Sequence, residues 1–444
     1  MKKLLPFLLC LCLSLCIPAC GQDKPEGASA ETSMSQNDRE REEDERVGRF
    51  RQDLSTNFTL SDEGIYCVRE ELTVEYDEEG TPYEVDARFL LYCDNQSDTF
   101  IKACGRPDCR HNDHTCDAWL SPFTGIVYSD GKSLYYIDRI PGATEAIVRG
   151  RELNAEEIGE LERLPAALIR MDEDGKNRTK IADLYPAEEK GYFTGSRAEV
   201  YSLGYVQWDL CHSENEEQTY VNRYGAIEDS AYLRKMADPE PEDVRSRSAV
   251  NTVGQEIYYL YSGSAGDDPD ESIYNTIYKW DPAGNTMQKA GEVPAGKAGC
   301  YREEGAYYAE NGEIKRWDYE THAEETLLDT GFNGADMVYG FPDCLMIMDR
   351  LVEGKDEEEQ EAELRFYDWD LKELGTCRIP LEEDDVFRMP DGSVLRQVLW
   401  GETEERILFC KHWHVNVSVP AYYIEKSDFG TGEIRLHEYH FPEE

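Results

Sequence analysis

ALIRMDEDGKNRTKI, Ala167 to Ile181, is the stretch whose reading decides the architecture. An apolar-rich run from Ala167 to Met171 breaks at Asp172–Asn177, which supplies Asp, Gly and Asn, and the run resumes toward Ile181. Those three residue types tolerate the backbone angles of tight turns, so the pattern predicts two antiparallel strands joined by a short turn. It returns in TIYKWDPAGNTMQK (276–289), EIKRWDYETHAEETL (313–327) and LRFYDWDLKELGTCRI (364–379). Weaker copies are RFLLYCDNQSDTFI (88–101), AYLRKMADPEPEDV (231–244) and YYIEKSDFGTGEIRL (422–436).

Ahead of most copies lies a second strand signal built on tyrosine doublets or their equivalents: GIYCV (64–68), SLYYIDR (133–139), EIYYLYSG (256–263) and GAYYAENG (305–312). The unit is therefore four short strands, repeated about seven times at a spacing of roughly 55 residues, the signature of a β-propeller. We expect an all-β fold of about seven (six to eight) four-stranded blades, each a half-buried antiparallel sheet. The excess of Tyr (28, against 14 Phe) suits rings that pack between blades while hydroxyls reach the surface. SLYYIDR followed by LIRMDEDGKNRTKI resembles the repeat of TolB-like propellers, especially the propeller lipoproteins of uncharacterised function common in Gram-positive anaerobes. That resemblance implies a fold and carries no single activity. A long insert after Tyr135 contains LNAEEIGELERL (153–164), predicted helical with Ile158, Leu161 and Leu164 on one side. The segments 263–275 and 353–363 read as surface loops.

The N-terminus, MKKLLPFLLCLCLSLCIPACGQ, has a short basic region and an apolar core, Leu4 to Ile17, of the length of a secretion signal. Its end resembles the lipobox of bacterial lipoproteins, with aliphatic Ile17 three residues before Cys20 and small Ala19 just before it. The resemblance implies acylation (palmitate-like chains) at Cys20; Cys16 fits less well, because Leu15 is not small. A plain signal peptide with a chance cysteine is the alternative. Residues 1–19 are thus expected to be the signal, 20–56 a lipidated cysteine with a disordered acidic tether, and 57–444 the propeller. The tether is dense in Ser, Glu, Asp and Arg and carries too little apolar surface to fold alone. The expected location is the outer, extracytoplasmic face of the cell membrane, with the chain anchored there by lipid.

A net charge of −47, with no basic stripe, sets the chain against nucleic-acid phosphates, so no nucleic-acid partner is expected. A metal quartet stands out in ACGRPDCRHNDHTCDAW (103–119). Cys104, Cys109, His111 and Cys116 are enough soft ligands for a tetrahedral structural zinc. Propeller lipoproteins of the kind just named look similar at this turn. An exported protein equally allows a disulfide staple there, Cys104–Cys109 or Cys109–Cys116, and free thiols are the third reading. Cys410, His412 and His414 alternate along a predicted strand and form a weaker second candidate, with a strand whose solvent face carries two histidines as its plainer reading. Were the propeller to close, the two clusters would be expected as neighbours.

Enzyme motifs fail on inspection. HEYH (437–440) has its histidines three apart where a zincin helix needs four. GIVYSDGKS (125–133) is one residue too long for a phosphate loop, and Gly175 in MDEDGKN (171–177) comes too early for a calcium loop. YSGSAG (261–266) lacks the glycine two before the serine of a nucleophile elbow. No catalytic residue is assigned. The expected role is a binding or scaffold module for a glycan, peptide or protein partner; the alternative is a propeller-based extracellular enzyme, glycan-active or a metal-dependent hydrolase.

Overall fold

The deciding stretch is a hairpin. Ala167–Met171 pairs antiparallel with Thr179–Asp183, and the Asp172 N–H bonds the Lys176 carbonyl (2.9 Å) around Gly175, whose φ of +79° suits glycine. The other three clear copies are hairpins as well, in Tyr274–Asp281 with Thr286–Pro294, Glu313–Asp318 with Glu324–Asp329, and Glu361–Tyr367 with Glu373–Pro380.

This computed structural model describes residues 51–52 and most of 58–442. The main exceptions are 185–191, 195–199, 227–233, 236–243, 251–256, 264–273, 332–335, 353–360, 381–385, 389–393 and 413–417, and across 192–250 only the strands are described. The expected signal, Cys20 and most of the tether lie outside these residues, as do most of the loops expected at 263–275 and 353–363.

The described strands build a β-propeller of small antiparallel sheets, seven of them with four or five strands, within the expected six to eight. The first comprises Phe58–Leu60, Gly64–Tyr76, Pro82–Asp94 and an outer strand in two pieces, Ile101–Lys102 and Trp119–Leu120. The second runs from Thr124 to Asp183, and the last from Leu399 to Glu438, with Arg51–Gln52 added along Leu399–Glu402. A three-stranded sheet of Leu351–Val352, Val394–Arg396 and Val386–Arg388 stands apart.

The tyrosine doublets occupy second strands, and the structure explains why they are doublets. Neighbouring side chains on a strand point to opposite faces, and here both faces are buried. Tyr307 enters the apolar seam with the sixth sheet, beside Ile347 and Tyr367, while Tyr308 enters the seam with the fourth, beside Tyr258 and Ile277. The expectation of half-buried sheets is thus corrected for the second strands: they are covered on both sides by adjacent sheets.

Closure is visible where the first and last sheets meet. Phe58, Ile65, Cys67, Leu91 and Cys93 of the first sheet share one cluster with Leu408, Cys410, Val419 and Tyr423 of the last. The Phe100 N–H bonds His440 O (2.7 Å), the His440 N–H bonds Asp98 O (2.7 Å), and Phe441 stacks on Phe100 at 4.8 Å.

Two readings of the repeat need correction. In the segment 231–244 the described residues belong to two sheets: Arg234–Lys235 is the outer strand of the third, and Val244 begins the next. Conversely, Tyr205–Glu214 and Glu217–Ala226 form a ten-residue-strand hairpin, which was passed over because Asn215-Glu216 between them lacks the usual Asp-Gly signal. The helix expected within 153–164 spans Ala155–Leu161, started by an Asn154/Glu157 capping box. A second helix, Pro141–Val148, precedes it. They touch where a Cβ on Gly142 would lie 2.8 Å from Leu161 Cδ2.

Candidate metal centre

The outer strand of the first sheet is interrupted between Lys102 and Trp119, and the excursion is the cysteine-rich stretch. Both ends hang from one residue. The Ala103 N–H bonds Leu90 O (2.9 Å), and the Leu90 N–H bonds Ala118 O (2.8 Å). The stretch is therefore an Ω-loop, ends close and apices out, inserted into an edge strand.

Within it the four expected ligands converge. One ligand atom each from Cys104, Cys109, His111 and Cys116 lies within 4.8 Å of all the others, with His111 Nδ1 3.3 Å from Cys116 Sγ. Zinc bonds of about 2.0–2.3 Å in a tetrahedron place ligand atoms roughly 3.5–3.8 Å apart, so the quartet can hold a metal ion with small adjustments. None of the three cysteines is disulfide-bonded. Cys116 is buried, and the other three ligands are partly so.

Local chemistry shapes this convergence. His111 sits at φ +56°, uncommon for a residue with a side chain. Its carbonyl is held by Lys102 Nζ (2.7 Å), itself paired with Glu71 (2.6 Å) and lying 3.9 Å over the Phe89 ring. Asp113 Oδ1 accepts from both the N–H and the hydroxyl of Thr115 (2.8 and 2.6 Å), and the Cys116 N–H bonds Asp113 O, a turn that swings Cys116 inward. Arg106 donates to Cys109 Sγ (3.3 Å) and pairs with Asp117 (3.3 Å).

The thiols are electrostatically unequal. Burial pushes Cys116 up to about 12, helped by the neighbouring thiols. At Cys104 burial acts in the same sense, but hydrogen bonds from the backbone at Arg106 and Asp117 and from the Arg106 side chain outweigh it and lower the thiol. A divalent cation supplies the positive charge that three thiolates need in so small a space.

The loop is seated on its surroundings at two places. The Gly175 turn of the second sheet lies under it, so closely that a Cβ there would be 2.2 Å from Asp117 O. On the other side His114 reaches Glu75, a carboxylate buried to 2% exposure in the long first hairpin. Sequence reading missed Glu75, Lys102, Arg106 and Gly175. Arg106 stands inside the loop and was within reach of a search for cations beside thiols; Glu75 carries no local signal.

The second candidate comes apart from the first. Cys410 is buried in the seam between the last and first sheets, so its face of the strand is an apolar interface and not the solvent face. The Cys104–Cys116 loop packs with Val68, Leu90 and Val127 in the seam between the first and second sheets. The propeller closes, but Cys410 and the Cys104–Cys116 loop lie on opposite faces of the first sheet rather than side by side. The His412 side chain and His414 lie outside the described residues. GIVYSDGKS supplies most of the strand Thr124–Ser129, which pairs with Leu134–Asp138 just after it, and MDEDGKN is the turn under the loop.

No sequence family and no curated protein matches the chain. Among solved structures it is similar to the β-propeller domain of the Trilobed protease from Pyrococcus furiosus, with a TM-score of 0.42, 10% identity, and coverage of 86% of this chain and 95% of that one. It is also similar to an acylaminoacyl peptidase from Pyrococcus horikoshii (0.45, 10%, 88% of this chain, 52% of that one). A TolB-type protein from Agrobacterium tumefaciens matches at 0.27 and 13%, over 65% of this chain and 92% of that one. At these identities the likeness is one of fold alone: the chain is similar to propellers, TolB-like ones among them.

Proposed function

We propose that the protein is a lipid-anchored, extracytoplasmic propeller that serves as a binding or scaffold module, with a structural zinc in the Cys104–Cys109–His111–Cys116 loop. The observation that carries this reading is a connected layer of insertions built on the first two sheets. The first hairpin runs thirteen residues per strand, far beyond its pairing with neighbours. The helical insert of the second sheet lies close against its tip, where a Cβ on Gly150 would be 2.7 Å from Tyr76 O. Glu75 ties the cysteine loop to the same hairpin. Stiff insertions on a rigid frame are how propellers present contact surfaces, and a closed four-ligand ion leaves no position for substrate.

Anchoring rests on Ile17, Ala19 and Cys20, and is tested by labelling cells with an alkynyl palmitate. The full chain should carry label and sediment with membranes, and Cys20→Ser should do neither. Binding is tested by applying the detergent-solubilised chain to arrays of glycans, muropeptides and peptides. Selective retention without turnover supports a binding module; cleavage of a retained probe would make the protein an enzyme instead.

A further inference from the structure

The hairpin that carries Glu75 is inside out. Along Glu71–Tyr76 the apolar side chains point away from the protein, Leu72, Val74 and Tyr76 being 63%, 45% and 61% exposed, while Thr73 and Glu75 between them are 4% and 2% exposed. An alternating strand ordinarily buries its apolar face. Here the loop and its ligands cover the polar face, and the apolar row is left open. These three account for half of the six exposed large apolar side chains among the described residues, so they form a row rather than scattered single exposures.

We propose that this face docks an extended segment of a partner protein that carries apolar and basic side chains on one and the same face. This rests on the binding role proposed above and names its place and partner class. The period of the row argues for an extended partner: alternate strand positions put its ends about 13 Å apart in a straight line. The backbone agrees. Pairing by Phe58–Leu60 stops at Cys67 and pairing by Trp119–Leu120 stops at Arg88, so the ribbon between has no further strand on either edge among the described residues. Such edges accept an added strand.

Charge selects the partner. Directly across from Leu72, Val74 and Tyr76, on the same face, stand Asp86, Glu84 and Pro82. Glu70 is neutralised by Arg88 (2.6 Å), but Glu84 and Asp86 are exposed and have no ion pair among the described residues. These carboxylates stand about 5 Å across the ribbon from the apolar row, so a bound segment meets both through basic and apolar side chains on its same face. A second copy of this chain, with net charge −47, brings like charge to the face, and so does an anionic membrane.

The test uses the full chain with Cys20→Ser and a fluorescent octapeptide with valine and lysine at every second position and serine between, Val-Ser-Lys-Ser-Val-Ser-Lys-Ser, read by anisotropy. Binding should weaken by roughly tenfold or more in Leu72→Ser/Val74→Ser/Tyr76→Ser, which removes exposed contact area and leaves the charge unchanged. Glu84→Lys/Asp86→Lys should lose the lysine peptide and gain a glutamate–valine one. Equal binding by the triple-serine variant, equal binding of both peptides to the unaltered face, or no binding at all would overturn the proposal. So would a concentration-dependent dimer, or adsorption to phosphatidylglycerol vesicles, that the triple variant abolishes. If that variant still retains the array ligands, the binding role stands and only this surface assignment falls.

Discussion

Glu75 and His114, 39 residues apart, form a two-point clasp: the carboxylate accepts the His114 backbone N–H at 2.9 Å and lies 2.6 Å from His114 Nδ1. His114 is not a metal ligand. It is the point at which the ligand-bearing loop is fixed to the long hairpin, and it turns four flexible ligands into a seated quartet. His114 also meets Trp119 edge-on at 6.4 Å, which fixes the ring from the loop's own exit.

Removing the clasp should loosen the loop. Glu75→Ala leaves the part-buried His114 N–H without its acceptor and should lower stability by about 1.5–3 kcal/mol, the range for a hydrogen bond to a charged group. Glu75→Gln keeps the shape and one acceptor oxygen and should cost less. Urea denaturation of both variants measures the difference; equal midpoints for Glu75→Ala and the parent would show that the clasp carries no stability.

Metal content is the next prediction. The purified chain should hold about one zinc, with three thiolates and one imidazole completing the tetrahedron. Cys109→Ser should lose it, and Cys104, Cys109 and Cys116 should become reactive to thiol reagents only after chelation. Ten cysteines follow Cys20. Metal-free protein with fewer than ten titratable thiols after denaturation would mean a disulfide and end the zinc assignment.

The seat under the loop can be probed by two glycines. Gly175→Ala meets both a left-handed φ and the Asp117 carbonyl backbone at 2.2 Å, so it should cost about 1–3 kcal/mol from strain alone and weaken metal retention. Gly105→Ala meets only the ends of Lys176 and Asp174, at 2.9 and 3.3 Å, which can swing aside. It should stay within about 0.5 kcal/mol of the parent. Equal losses at the two sites would refute the seating.

Asp138 gives the stability a pH dependence. It is buried at the end of Leu134–Asp138, before the helical insert, and burial raises its carboxyl to about 6, although the Ile140 N–H (3.2 Å) opposes this. Between about pH 4 and 6 the folded chain keeps a proton that the unfolded chain releases, so this group makes stability fall as pH rises through that window. A shift of about two units corresponds to roughly 3 kcal/mol, complete above pH 6. Asp138→Asn should flatten that part of the profile. Urea midpoints at successive pH values compare the two; parallel profiles would clear Asp138 of any role.

Much of this protein is decided by local sequence. The hairpins follow from alternation and turn chemistry because both act within a dozen residues, and the tyrosine doublets mark the strands that need an apolar side chain on each face. The metal quartet is legible for the same reason: its ligands fall between Cys104 and Cys116. Where local signals were weak, as at Asn215-Glu216, a hairpin went unseen, and in 231–244 the described residues, Arg234–Lys235 and Val244, fall in different sheets. Tertiary structure alone decided the rest. It placed the quartet in an interrupted edge strand, separated Cys410 from it across the first sheet, and set Gly175 beneath the loop. It also turned Glu71–Tyr76 inside out. By alternation Glu75 belongs to water and Leu72, Val74 and Tyr76 to a core. The loop's need for a buried acceptor at His114 reverses that preference, and only the packing of segments distant in sequence could impose it.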